Sequence, residues 1–182
     1  MLILAASPHA HGKTDQLARA ANEACRCSTL LFLRDFNIAP CQGCGFCVNS
    51  GHCIFTDDCD QLFKALQEPS ALIIIAPIYF YALPAHFKAF IDRSQQFWQS
   101  SHHFHEQRKP AGIILAAGRT RGNSLFRGSL LTLRWFLKPF SYYIAHKLLC
   151  RGSDNQNGFL ETNMPLAISM AKILCNQNAE GH

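Results

Sequence analysis

Cys41, Cys44, Cys47 and Cys53 fall inside thirteen residues, in the stretch CQGCGFCVNSGHC. The spacing is C-x2-C-x2-C-x5-C. Thiolates three residues apart on a glycine-bearing loop can converge on one small inorganic group, and a fourth can close its coordination. Four thiolates are the ligand set of a [4Fe–4S] cluster. Zinc also takes four, although its usual sites pair two C-x2-C knuckles set farther apart. Thiols that hold nothing are the third alternative. The fold-back requires Gly43, Gly45 and Gly51 to reverse the chain. Cys59 stands just beyond the loop. Cys25, Cys27, Cys150 and Cys175 fall in or near helices and a strand and read as buried small hydrophobes.

Three other stretches carry groups that could meet a ligand. SPHAHGKT, residues 7–14, has hydroxyls, a Gly and a Lys ahead of a helix, where backbone N–H groups favour a phosphate. It is not a Walker A loop, because Ala6 or Ser7 stands where the first Gly belongs; ordinary capping by Ser7 or Thr14 is the alternative. PIYFYALP, residues 77–84, places Tyr79, Phe80 and Tyr81 directly after an apolar run. Aromatics there can flank a flat ring, or be core. AGRTRGN, residues 117–123, offers Gly and turn residues that let backbone approach a ligand. His102, His103 and His105 in SSHHFHEQ read as a solvated loop, lacking acidic or Cys partners at helix spacing. His86 reads as a polar residue on a surface helix.

The elements that must position these groups alternate. Strands are expected at Met1–Ala6, Thr29–Leu33, Ala71–Ala76, Ala111–Ala117 and Tyr142–Cys150. Helices are expected at Asp15–Arg26, from Asp57 to about Gln67, at Ala85–Trp98, from about Ser124 to Leu137, and at Glu161–Cys175. Asp57 and Asp58 suit a helix N-terminus. The connection between Arg34 and Thr56 is long enough to be functional. Strands alternating with helices argue an α/β fold: a parallel sheet covered on both faces, with ligands outside the carboxyl ends of the strands.

The chain of 182 residues is expected to form a single domain, 1–182. Apolar residues make up 48%, enough for a substantial core. The longest strand-like apolar run, Ala71–Pro77, is too short to span a membrane. The N-terminal run lacks a basic flank and reads as a strand rather than a signal peptide. A cytoplasmic location is expected, where clustered cysteines mean metal or redox chemistry before disulfides. The net charge of +5 is modest and nucleic-acid motifs are lacking, so nucleic acid is disfavoured. Arg119, Arg121, Arg127 and Arg134 crowd one segment and read as a solvated helix face, with an anionic ligand as the alternative.

Taken together, the loops resemble those of the flavodoxin-like NAD(P)H-dependent FMN reductases. SPHAHGKTDQLA looks like that family's phosphate loop. APIYFYALPAHFKAFIDR looks like its flavin-ring loop and following helix, with Lys88, Phe90, Asp92 and Arg93 matching a Lys-x-Phe-x-Asp-Arg pattern. CQGCGFCVNSGHCIFTDDC looks like the cysteine loop, at about 36–56, of the family's iron–sulfur flavoprotein branch. The resemblance implies a flavodoxin-like three-layer sandwich with a five-stranded parallel sheet in the order 2-1-3-4-5. It implies that Ser7, His9, Gly12, Lys13 and Thr14 hold the FMN phosphate. Pro77, Ile78, Tyr79, Phe80 and Tyr81 would line the isoalloxazine and ribityl region, with Ala117, Gly118 and Arg119 on the third side. Cys41, Cys44, Cys47 and Cys53 would be metal ligands of a [4Fe–4S] cluster. His9 and Lys13 depart from the Arg and Asn usual at those positions. The implied activity is FMN-dependent oxidoreduction, with NAD(P)H as co-substrate and a flavin or quinone as small-molecule acceptor. The alternatives are an electron carrier linking a ferredoxin-like partner to FMN through the cluster, and a non-catalytic flavin-binding module. A homodimer or homotetramer is implied. Neither acid nor base is needed for electron transfer, so no catalytic side chain is named.

Overall fold

The structure, a computed structural model, describes residues 1–99, 108–154 and 158–177. His102, His103 and His105 lie outside the described residues. Five strands form one parallel sheet in the order β2-β1-β3-β4-β5. They are β1 (Leu2–Ala5), β2 (Thr29–Phe32), β3 (Leu72–Pro77), β4 (Lys109–Ala117) and β5 (Tyr142–Arg151). The order is the one expected, and β1 and β3 read as unbroken apolar runs because both of their faces are covered.

Side chains alternate between the two faces. Leu2, Leu4, Leu72 and Ile74 face α3 (Cys59–Gln67), α4 (Ala85–Arg93) and α6 (Arg127–Leu137). Ile3, Ala5, Ile73 and Ile75 face α1 (Lys13–Glu23) and α7 (Phe159–Gln177). Phenylalanines knit the first layer. Phe63 stacks on Phe90 at 4.7 Å and on Phe140 at 5.7 Å. In the second layer α7 lies close against Gly112 of β4, where any Cβ would come within 2.6 Å of Met170 Sδ.

Three local features differ from the expected elements. The helix expected over Ala85–Trp98 breaks at Ser94, whose hydroxyl donates back to the Ile91 carbonyl at 2.6 Å; α5 (Gln95–Gln99) follows. β4 starts two residues early, at Lys109. Pro110 is tolerated because β3 pairs only from Ala111 onward, so β4 has β5 alone beside it there. A short helix inside the cysteine loop, α2 (Phe46–Ser50), was not expected. None of the described helices is long and apolar enough to cross a membrane.

Candidate functional site

A parallel sheet delivers the loops after all its strands to one edge. After β1 the chain runs through 7–12 into the N-terminus of α1. The Ser7 hydroxyl sits 3.2 Å from both the His9 N–H and the His9 carbonyl, tying the loop into a turn. Asp15 is fully buried and accepts from the His11 N–H at 3.0 Å and from Arg34 at 2.8 and 2.9 Å. Arg34 also donates to the Ser7 carbonyl at 3.3 Å, so it cancels the acid at the helix start and fixes the loop above it. Thr14 is buried in the first turn. The Lys13 ammonium reaches across the edge to the Ser153 carbonyl at 2.6 Å.

After β3 the chain makes a tight turn in which Tyr79 and Ala82 bond each other's backbone at 2.9 Å both ways. Phe80 and Tyr81 occupy left-handed backbone, at φ 49° and 65°. Tyr79 and Tyr81 are exposed, and Phe80 is fully so. The aromatic loop is therefore open to a ligand and is not core. After β4, Arg119 donates to the Tyr81 hydroxyl at 3.2 Å, joining the second loop to the third. At Gly118 a Cβ would collide with the Asp154 carboxylate. Burial first, then the charge of Asp154, raises the Tyr79 phenol above its ordinary range.

Ser153 and Asp154, after β5, thus belong to the same edge and were not anticipated. The signal was available: the rule that picked the loops after β1, β3 and β4 applies equally to the one after β5. His86 also departs from expectation. It is half-buried, its Nε2 has no partner, and burial with the nearby Arg34 charge lowers its pKa.

The cysteine loop follows β2 and so leaves from that same edge. Cys41, Cys44, Cys47 and Cys53 all line one hollow of about 130 Å³, with Phe55, Arg93 and Gln96 on its other walls. The glycine requirement is met. Gly43, Gly45 and Gly51 take φ of 66°, 73° and 72°, and a Cβ at any of them would meet nothing within 4 Å, so the need is conformational and not spatial. Burial raises the Cys47 thiol, opposed by a backbone hydrogen bond, and the charges of Cys53, Cys41 and Cys44 raise it further. Among the described residues, no three of these sulfurs lie within 4.8 Å of one another. Tetrahedral zinc at about 2.3 Å would hold its sulfurs roughly 3.8 Å apart. Cys59 is buried, its thiol pushed up to about 12 mainly by burial, so it stands apart from the four.

One buried ion pair closes the neck of this loop. Arg93, at the end of α4, donates to both oxygens of Asp57 at 2.7 and 3.2 Å. It also donates to the Ala39 carbonyl at 3.0 Å and the Phe55 carbonyl at 3.4 Å, one on each side of the cysteines. Asp57 in turn accepts from the Ala39 N–H at 2.9 Å and the Cys59 N–H at 3.1 Å. Lys88 and Asp92 of the same pattern form only an exposed pair at 2.6 Å, and Phe90 is core.

Cys150 is buried as expected. Cys25, Cys27 and Cys175 are not simple core residues: Cys25 and Cys175 form a disulfide, and Cys27 is exposed. Arg127 and Arg134 are exposed on α6, as expected, and line a groove between that helix and β5.

Comparison with known proteins identifies relatives of the chain and of its fold. The family model for NADPH-dependent FMN reductase matches residues 1–138. An iron–sulfur flavoprotein of Methanocaldococcus jannaschii is 32% identical over 156 residues, covering 84% of this chain and 75% of that protein. Among solved structures, a flavone reductase superposes with a TM-score of 0.70 at 12% identity, covering 100% of this chain and 65% of that one. An NAD(P)H:quinone oxidoreductase from Methanothermobacter marburgensis superposes with a TM-score of 0.64 at 16% identity, covering 100% and 96%. At those identities the superpositions speak to the fold.

Proposed function

The chain belongs to the NADPH-dependent FMN reductase family, in its iron–sulfur flavoprotein branch, and from that premise we propose an FMN-dependent oxidoreductase that uses NAD(P)H to reduce a small acceptor of the flavin or quinone type. The observation that carries this reading is the convergence of four loops on one sheet edge, tied by the Lys13–Ser153 and Arg119–Tyr81 bonds. Bound FMN would supply hydride and single-electron chemistry. The chain supplies the rest. Ser7, His9, Gly12 and Thr14 present a turn and the N-terminus of α1 to the phosphate, with the Lys13 charge beside them. The Asp15–Arg34 pair keeps the buried carboxylate from repelling it. Pro77, Ile78, Tyr79, Phe80 and Tyr81 flank the ring, while Ala117, Gly118 and Arg119 cover the third side. In this reading residues 1–182 form a single domain that assembles as a homodimer or homotetramer.

A second reading is an electron carrier between a ferredoxin-like partner and FMN. It is favoured by the four cysteines that line one hollow.

Two measurements test these readings. Thr14→Ala combined with Lys13→Gln should weaken FMN far more than riboflavin, which has no phosphate; equal loss of both ligands refutes the phosphate site. Reconstitution without oxygen should give about four irons and four sulfides per chain, abolished by Cys44→Ala and retained by Cys150→Ala. Failure to bind iron removes the relay and leaves the reductase.

A further inference from the structure

A second group of sulfurs lies at the opposite pole of the sheet. Cys25 and Cys27 sit in the connection between α1 and β2, and Cys175 in the last turn of α7. These are the amino ends of the strands; the Met1 amino group donates to the Cys27 carbonyl there at 3.3 Å. Cys25 is bonded to Cys175. Cys27 Sγ lies 3.0 Å from Cys175 Sγ and 3.4 Å from Cys25 Sγ. Among the described residues this is the one set of three or more potential metal-binding side chains whose ligand atoms fall within 4.8 Å. Burial differs across the three: Cys25 is 2% exposed, Cys175 is intermediate and Cys27 is exposed.

We propose that Cys25, Cys27 and Cys175 form a thiol–disulfide exchange site that accepts electrons from a dithiol reductant, with Cys27 as the thiol through which the half-enclosed bond is reached. The bond is enclosed at Cys25 and partly open at Cys175, and Cys27 is the exposed thiol that touches both of its sulfurs. The exposed Cys27 side chain first turns so that its thiolate lies on the line of the Cys25–Cys175 bond, and then attacks Cys175 Sγ. The Cys27–Cys175 bond forms, the Cys25–Cys175 bond breaks, and the electron pair leaves on Cys25, which takes up a proton. This step is an isomerisation and needs no oxidant. The new disulfide has an exposed half. One thiolate of the dithiol attacks Cys27 Sγ and Cys175 leaves as a thiol. The second thiolate then closes on the first and releases Cys27. Two electrons have entered the protein, and the reductant is left as a disulfide. The bond lost had pinned the last turn of α7 to the α1–β2 connection, so reduction removes the covalent tie at the end of a helix that covers one face of the sheet. The site is remote in the fold from the edge that carries the flavin loops.

The test uses the full chain with FMN bound and dithiothreitol as the dithiol. Samples are quenched with an alkylating agent at intervals and the cysteine pairs are mapped after tryptic cleavage. Arg26 separates Cys25 from Cys27, and Lys172 precedes Cys175, so each cysteine falls on its own peptide. The wild type should show both Cys25–Cys175 and Cys27–Cys175 linkages before full reduction. Cys27→Ser should keep only the first and lose it about tenfold more slowly. Cys25→Ala should hold the Cys27–Cys175 bond and lose it faster than the wild type; it carries the test if Cys27→Ser fails to retain FMN. Equal rates in wild type and Cys27→Ser overturn the proposal. So does zinc or iron bound in proportion to the protein and lost with Cys27→Ser, which would make the trio a metal site.

Discussion

At the scale of single residues, Arg93 carries more of the cysteine loop than any cysteine does. Its side chain is fully buried and its partner Asp57 nearly so. Removing one member of a buried pair leaves an uncompensated charge, which costs on the order of 3–5 kcal/mol. Arg93→Met should therefore lower the urea midpoint and also release iron from a reconstituted protein, because both ends of the loop lose their anchor. Arg93→Lys keeps the charge but loses the fork that reaches two carbonyls and a carboxylate, so it should recover part of the stability and little of the iron. A full recovery of iron by Lys would show that charge alone matters. His86 gives a separate, pH-dependent readout. Burial, with the Arg34 charge, holds its folded pKa below the ordinary value. The unfolded chain then binds more protons, so the stability contributed by neutral His86 is present above about pH 6.5 and is lost as pH falls through the folded pKa. His86→Gln should flatten the change in unfolding free energy between pH 7.5 and 5.5; an unchanged slope assigns that loss to other groups. Asp57 titrates far below this window. Burial would raise its carboxyl, but the hydrogen bonds from Arg93, Ala39 and Cys59 outweigh it and hold it low.

At the scale of elements, the turn after β3 is strained where a ligand should sit. Phe80 and Tyr81 both hold left-handed backbone, which costs a non-glycine residue roughly 1–2 kcal/mol. Phe80 is fully exposed, so core packing does not offset that cost. Phe80→Gly should then raise the stability of the flavin-free protein by about 0.5–1 kcal/mol and weaken FMN binding. A variant that binds FMN as tightly as wild type would deny Phe80 a role at the ring. This turn also shows what sequence makes visible. An apolar run followed by PIYFYALP reveals a strand end and a ring-sized set of aromatics, but not that the chain turns back within two residues. The cysteine spacing and its three glycines reveal a reversing loop. They do not reveal α2 or the neck, because the Arg93–Asp57 pair joins residues 36 apart in the chain. The break at Ser94 is similarly hidden. An apolar periodicity runs straight through it, whereas the Ser94 hydroxyl and backbone N–H both bond the Ile91 carbonyl where the helix ends. Ser153 and Asp154 were missed for a plainer reason: polar residues after the last strand have no pattern of their own and gain meaning only from the sheet edge they share.

At the scale of the whole molecule, charge discriminates between the two functional readings. A groove of about 560 Å³ runs between α6 and β5, lined by Arg108, Arg127, Arg134, Lys138 and Lys147, with Trp135 and Tyr143 among them and no acidic side chain among the described residues. It lies along the sheet's β5 edge, on a chain whose net charge is +5. A field of one sign speeds encounter with an oppositely charged protein, and salt suppresses it because the screening length is only about 10 Å at 0.1 M. A neutral quinone feels neither effect. If the chain relays electrons from an acidic ferredoxin-like partner, the second-order rate of reduction by that partner should fall about tenfold between roughly 50 and 300 mM salt. Arg134→Glu should lower the rate at low salt and make it less sensitive to added salt, since it removes part of the field. Reoxidation of the reduced protein by a neutral quinone should change little in either case, because the quinone carries no charge and Arg134 lies outside the loops proposed to flank the flavin. A partner rate that ignores both salt and Arg134→Glu would leave the groove without a role in docking, and would favour the small acceptor as the physiological destination of the electrons.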